Sequence, residues 1–176
     1  RGVSSREKIL QAAVELSTSE GAAHLSLDAV AARAGVSKGG LLYNFPNKAA
    51  LMHALVQRFI DQMRSELDEK AGTGDPGRLA STYMDIVLRN IQDSSPSSSG
   101  LLAALAENPC MLEPVKAFHR ELLDRLKGGA GDPEAVLVFF LVLEGLRAQK
   151  LFGTDILDES ERAAVLERIA SMIGAR

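Results

Sequence analysis

Along the chain, apolar residues recur at three- and four-residue spacing in one segment after another, the period of a helix with one buried face. The first such segment begins at Ser4-Ser5-Arg6-Glu7, where Ser4 can cap the backbone and Glu7 can reach back to it; Ile9, Ala13 and Leu16 form its stripe. Gly21 is its expected stop. A second helix opens at Ser26, a good N-cap, carries Leu27, Val30, Ala31 and Ala34, and ends at Gly35. A short third helix runs from Ser37 to about Asn44, because the residue before Pro46 is pushed out of helical geometry. Asn47 then caps a long fourth helix on which Leu51, Leu55, Phe59, Met63 and Leu67 recur every four residues.

The remainder keeps the same period. A breaker-rich stretch over 72–77 precedes a fifth helix over 78–92, and a polar loop over 94–100 leads to a short sixth over 101–107. The seventh, over 111–127, aligns Val115, Phe118, Leu122 and Leu126 on one face, with Pro114 in its first turn. Asp132-Pro133 opens an eighth, with Asp as cap and Pro at the first helical position. It is apolar nearly all round over 135–143 and is therefore expected to be deeply buried. A ninth starts at Asp158 or Ser160, with Ala164, Leu166, Ile169, Ala170 and Ile173 as its apolar set. The predicted fold is all-α, with about nine helices and no internal repeat.

Composition agrees. Ala and Leu dominate, both helix formers, while aromatics make up only 5% with no Trp, leaving little material for strands. Cys110 stands alone, which excludes an intrachain disulfide and an all-Cys metal site; a reducing cytoplasm is the expected compartment. No apolar run approaches the roughly 18 residues of a membrane span, and no basic-then-apolar leader points to export. The net charge of -3 is unevenly spread. Residues 1–50 hold six bases and four acids, so they carry +2 and the rest carries -5. A mildly basic head on an acidic body fits a nucleic-acid module joined to a larger regulatory part.

The stretch from Leu27 to Phe45 carries the function. Two helices joined by a tight turn need a small residue at their crossing, a residue tolerant of left-handed backbone in the turn, and an apolar residue that locks the angle. Ala31, Gly35, and Leu41 or Val36 meet these needs in register. That geometry is a helix-turn-helix, whose second helix enters the major groove by its N-terminal end. Gly39-Gly40 breaks a local rule, since each Gly in a helix costs about 1 kcal/mol relative to Ala. Either the missing side chains let the backbone approach DNA closely, or the pair extends the turn and the helix starts later. No phosphate-cradling glycine motif, metal-ligand cluster or paired nucleophile and base appears, so an enzyme is not expected, and neither is a metal or cofactor.

The segment Gly35-Val36-Ser37-Lys38-Gly39-Gly40-Leu41-Leu42-Tyr43-Asn44-Phe45-Pro46-Asn47-Lys48 resembles the signature of the TetR family of bacterial regulators; the close likeness covers about residues 5–55, and the rest is similar in architecture. The resemblance implies a DNA-binding domain over 1–48 and a ligand-binding and dimerisation domain over 49–176. It implies that Ser37, Lys38, Gly39 and Gly40 open the recognition helix, that Tyr43 and Asn44 touch phosphate or bases, and that Ser26 and Lys48 hold phosphates. Leu42 and Asn44 depart from the Tyr and His common in the family, so the operator sequence does not carry over. Pairing into a homodimer through the last two long helices is implied, with Leu141, Gly145, Ala148, Leu151, Ile169 and Ile173 as candidates. A small-molecule pocket is implied among helices four to eight, with Tyr83, Met84, Met111, Phe118, His119, Phe139 and Arg147 as possible members. For Arg147 an acidic ligand and a salt bridge to Glu144 are both open. The function expected is a ligand-responsive regulator, by default a repressor released from a palindromic operator by its effector; the alternative is a helical small-molecule-binding protein with weak or lost DNA binding.

Overall fold

A computed structural model of the chain describes residues 3–20, 25–72, 75–92 and 112–174. Among them are eight α-helices and no strand: α1 (Ser5–Glu20), α2 (Leu27–Ala34), α3 (Lys38–Asn44), α4 (Lys48–Ala71), α5 (Pro76–Gln92), α6 (Glu113–Lys127), α7 (Pro133–Phe152) and α8 (Glu159–Met172). The all-α expectation holds. Gly21, the polar loop at 94–100, the short helix expected over 101–107, Cys110 and Met111 lie outside the described residues.

The described residues divide into two compact units, and the dividing point after Asp61 falls inside α4. In the first unit α1, α2 and α3 pack on one another around Ile9, Ala13, Val30, Ala31, Leu41 and Phe45, joined by Leu51 and Leu55 from α4. Each such side chain contributes about 1.5–3 kcal/mol on full burial. Arg58 on α4 donates to the carboxylate of Glu7 at 2.5 Å and to Gln11 at 3.1 Å on α1. This answers the capping expectation at the N-terminus only in part. Ser4 accepts from the Glu7 backbone N–H at 3.2 Å, but the Glu7 side chain is taken by Arg58.

In the second unit α7 packs against α5 and α8, with Phe139 and Leu143 fully enclosed. Ion pairs fix how the other helices align: Arg125 with Asp68 at 2.7 Å and Arg64 with Glu121 at 2.8 Å join α6 to α4, and Arg89 with Glu66 at 2.7 Å joins α5 to α4. Exposed pairs of this kind contribute about 0–1 kcal/mol each, so they set register more than stability. Helix ends follow the residues that were read as signals. Asp132 accepts from Ala135 N–H to start α7, and Asp158 forms a full capping box with Glu161 to start α8.

One expectation needs correction. The apolar stretch of α7 is not deeply buried all round, because helices cover only part of its circumference. Leu137, Val138 and Leu141 are exposed, Leu141 at 68%.

Candidate nucleic-acid interface and buried polar cluster

The turn between α2 and α3 is built from its own sequence. Gly35 closes α2 at φ 65°, a left-handed conformation in which a Cβ would be strained. Its N–H and that of Val36 reach back to the carbonyls of Ala32 and Ala31 at 3.2 and 3.1 Å, the Schellman closure of a helix end. Ser37, in extended backbone, then caps α3 by accepting from Gly40 N–H at 3.0 Å. The helix begins at Lys38, so Gly39 and Gly40 lie inside it. This overturns the reading in which they lengthen the turn: the Ser37 cap starts the helix before them. A Cβ at Gly39 would meet nothing within 4 Å, whereas one at Gly40 would press on Ser37 Oγ at 3.2 Å. Gly40 is thus explained by the cap; Gly39 has no intramolecular reason to lack a side chain.

The predicted DNA-facing residues fall on this element and its neighbours. Tyr43 is an aromatic ring 89% exposed on the outer side of α3, while Leu41 on the inner side is fully buried. Lys38 Nζ lies 2.9 Å from Asp28 of α2, both side chains facing water. Asn44 donates its side-chain amide to the Gly40 carbonyl at 2.8 Å and is half-buried. Ser26 is exposed and caps α2 through Ala29 N–H at 3.1 Å; Lys48 is exposed at the first position of α4, which Asn47 caps through Ala50 N–H at 2.8 Å. Phe45 turns inward under Arg6, whose guanidinium sits 5.3 Å from the ring centre. The fragment therefore presents short polar groups, a glycine and an aromatic ring on one outward surface, anchored from behind by Leu41 and Phe45. Asp28 is the residue that sequence reasoning did not place there.

In the second unit, three of the residues proposed for the effector meet around a fourth. Tyr83 of α5 donates to Glu144 of α7 at 2.6 Å. Arg147 pairs with the other carboxylate oxygen of Glu144, and its guanidinium lies 3.4 Å from His119 Nε2 of α6. Phe140 stacks on Tyr83 with centroids 5.9 Å apart and meets the edge of His119 at 5.5 Å. Burial shapes the protonation states. It pushes the Tyr83 hydroxyl up, aided by the negative Glu144, so the phenol stays a donor. It pulls His119 down, an effect that Glu144 opposes and Arg147 reinforces, so the ring is neutral at pH 7. The open choice at Arg147 is resolved in this state as the salt bridge to Glu144.

The other candidates lie apart from this group. Phe118 is buried beneath Arg64, 5.7 Å from its ring centre; Phe139 is fully buried, and Met84 is half-buried. On α7, Gly145 is exposed beyond Leu141, and Ala148 and Leu151 are half-buried. Ile173 is half-buried just past α8, while Ile169 is 3% exposed and packs within its own chain. Glu144 and Phe140 were not proposed as site residues. The three-residue spacing from Glu144 to Arg147 was the available signal for the first, and nothing local marks the second.

A capped helix, a glycine turn and a short helix bearing an outward polar and aromatic surface define a helix-turn-helix protein. Residues 9–55 match the bacterial regulatory proteins of the tetR family, and residues 77–174 match the tetracyclin repressor-like C-terminal domain. The chain belongs to the TetR family. It is 33% identical over 128 residues to the HTH-type transcriptional regulator RutR of Escherichia coli strain K12, a match that spans 70% of this chain and 59% of that protein. Among solved structures, it is similar to a transcriptional regulator of Streptomyces coelicolor A3(2), at 26% identity and TM-score 0.74, covering 96% of this chain and 98% of that one. It is also similar to the multidrug binding protein EbrR in complex with imidazole, at 25% identity and TM-score 0.69, covering 93% and 88%. No helix among the described residues is long and apolar enough to cross a membrane.

Proposed function

We propose that the chain is a cytoplasmic, homodimeric transcriptional regulator that binds a palindromic operator through α3 and is released from it by a small molecule. The observation that carries this reading is the outward surface of α3, where an almost fully exposed Tyr43 and an unobstructed Gly39 have no use within the chain. Residues 1–48 are the DNA-binding domain and 49–176 the ligand-binding and dimerisation domain. Ser37, Lys38, Gly39 and Gly40 approach the groove edge, Tyr43 and Asn44 reach phosphate or bases, and Ser26 and Lys48 hold phosphates. Asn44 can read adenine bidentately once it leaves the Gly40 carbonyl. One recognition helix reads too few base pairs for specificity, whereas two set about 34–36 Å apart read a palindrome.

The exposed face of α7 around Leu141, Gly145 and Ala148, with Leu151 and Ile173 at its margin, is the surface that a second copy would cover. The exposure of Leu137, Val138 and Leu141 on this one helix supports this. The effector enters the second unit near Tyr83, His119 and Arg147, with Met84, Phe118 and Phe139 as further lining. That EbrR is a multidrug binding protein solved with imidazole supports a small-molecule effector for this chain. Because α4 has residues in both units, it is the covalent route by which effector and operator oppose one another, each lowering affinity for the other by the same factor.

The test is selection from a pool of randomised duplexes at several salt concentrations. An enriched palindrome, weakened by Tyr43→Ala, is the expected result. Enrichment of no sequence, with binding lost at modest salt as for purely electrostatic contact, would leave a helical small-molecule-binding protein in its place.

A further inference from the structure

The first unit does not use all of its cations internally. Arg33 pairs with Glu15, Lys38 with Asp28 and Arg58 with Glu7. Arg6, Lys8 and Lys48 hold no carboxylate among the described residues. Lys48 already belongs to the proposed interface. Arg6 and Lys8 stand together in the first turn of α1, yet two residues along a helix turn it by about 200°, so they point to opposite sides.

Arg6 alone is seated. Its guanidinium carbon lies 5.3 Å from the centre of the Phe45 ring. Phe45 closes α3 and is buried, and only Pro46 and Asn47 separate it from Lys48 at the start of α4. Arg6 therefore stands at the corner where α3 ends and α4 begins, beside Asn44 and Lys48 in the chain. The first turn of α1 is fixed there by Arg58 of α4, which grips Glu7 at 2.5 Å and Gln11 at 3.1 Å. That grip also engages the acid next to Arg6 in sequence. Contact with an aromatic face spends none of the five guanidinium N–H donors, and Arg6 is exposed. A planar, permanently charged fork, steadied by a ring and open to water, is suited to taking a phosphate through two parallel hydrogen bonds.

We propose that Arg6 binds a backbone phosphate of DNA and extends the interface of α2, α3 and α4 to the first turn of α1. The contact rests on the regulator reading for its duplex. It reads no base, so it adds affinity and register without sequence preference. Phe45 steadies the fork before DNA arrives, which lowers the side-chain freedom lost on binding.

The test is the salt dependence of DNA binding by the full chain, read by fluorescence anisotropy on the selected palindrome and on a duplex of arbitrary sequence. Arg6→Met keeps an apolar cover over Phe45 and removes the charge. It should lower the slope of log affinity against log salt by about one on both duplexes, with the urea midpoint unchanged. Arg6→Lys keeps the charge and should restore most of the slope, at lower affinity than the natural chain because a fork becomes a point charge. Lys8→Met, the same loss of charge on the far side of α1, should leave the slope as it was. An unchanged slope in Arg6→Met overturns the proposal, and so does an equal drop in Lys8→Met, which would make the effect one of net charge. Weaker binding in Arg6→Met and Arg6→Lys alike at unchanged slope also overturns it, leaving Arg6 as a cover for Phe45. The regulator reading fails separately, by the absence of an enriched palindrome, and the arbitrary duplex still decides the role of Arg6.

Discussion

The helix-turn-helix and the Tyr83 cluster handle their polar side chains in opposite ways. On α2 and α3 the polar groups are exposed or half-buried, and each is held by a partner close in sequence: Ser26 by the backbone three residues on, Asn44 by the carbonyl four residues back, Lys38 by Asp28 ten residues back. In the second unit Tyr83 reaches Glu144, 61 residues away, and Arg147 approaches His119, 28 residues away, with the members half-buried or buried. Surface pairs cost little to exchange for a phosphate or a base edge, because water screens them in both states. A buried pair cannot be opened cheaply, since losing one partner leaves a charge without solvent. The first arrangement suits a surface that must swap partners, and the second a core whose state must be distinct.

Breaking the buried group should have the largest effect. Glu144→Ala removes the acceptor of Tyr83 and the counter-charge of Arg147, and is expected to destabilise the chain by about 3 kcal/mol, near the lower limit for broken buried pairs. Urea unfolding followed by circular dichroism measures this, and a loss under about 1 kcal/mol would mean that the cluster is wetter than its burial indicates. Tyr43→Ala should do the reverse. Its ring is exposed, so unfolding should shift by no more than about 0.5 kcal/mol, while operator binding falls by about 1–3 kcal/mol if the ring meets DNA. Fluorescence anisotropy on the selected duplex reads the second quantity.

The same contrast explains what could be seen in the sequence. The head was legible because its geometry is dictated locally: Gly35 must be left-handed, Ser37 must cap, and Pro46 must stop α3. Leu41 inward and Tyr43 outward then follow from helical phase. The start of α7 at Asp132-Pro133 and that of α8 at Asp158 were legible for the same reason. The polar cluster was legible only as a set of residue types. Tyr83, His119 and Arg147 were proposed, but their meeting point at Glu144 depends on how three helices align, and no short-range pattern encodes that. The exposed side of α7 was misjudged because an apolar helix reads alike whether its own chain or another surface is to cover it.

Acidification offers a smaller test on the buried side. The folded pKa of His119 lies below its ordinary value of about 6.5, chiefly through burial. Below that value the unfolded chain takes up a proton that the folded chain resists. The contribution of His119 to stability is therefore complete above about pH 6.5 and declines as pH falls from there, by at most about 1.4 kcal/mol per pH unit. The thermal midpoint should drop between pH 7.5 and 5.5, and His119→Gln should flatten that part of the curve. An unchanged slope in the variant would assign the acid sensitivity to other groups.

The smallest effect is expected where the head looks most strongly tied. Lys38 and Asp28 form a close ion pair, yet both are open to water, so a double-mutant cycle with Lys38→Ala and Asp28→Ala should return a coupling of only about 0.2–1 kcal/mol in unfolding. In DNA binding the same two changes should part company. Lys38→Ala removes a cation and should lower the salt slope by about one. Asp28→Ala removes a nearby negative charge and frees the ammonium, so affinity should rise. If Asp28→Ala instead weakens binding, the carboxylate is positioning Lys38 for its phosphate, and the pair belongs to the recognition geometry after all.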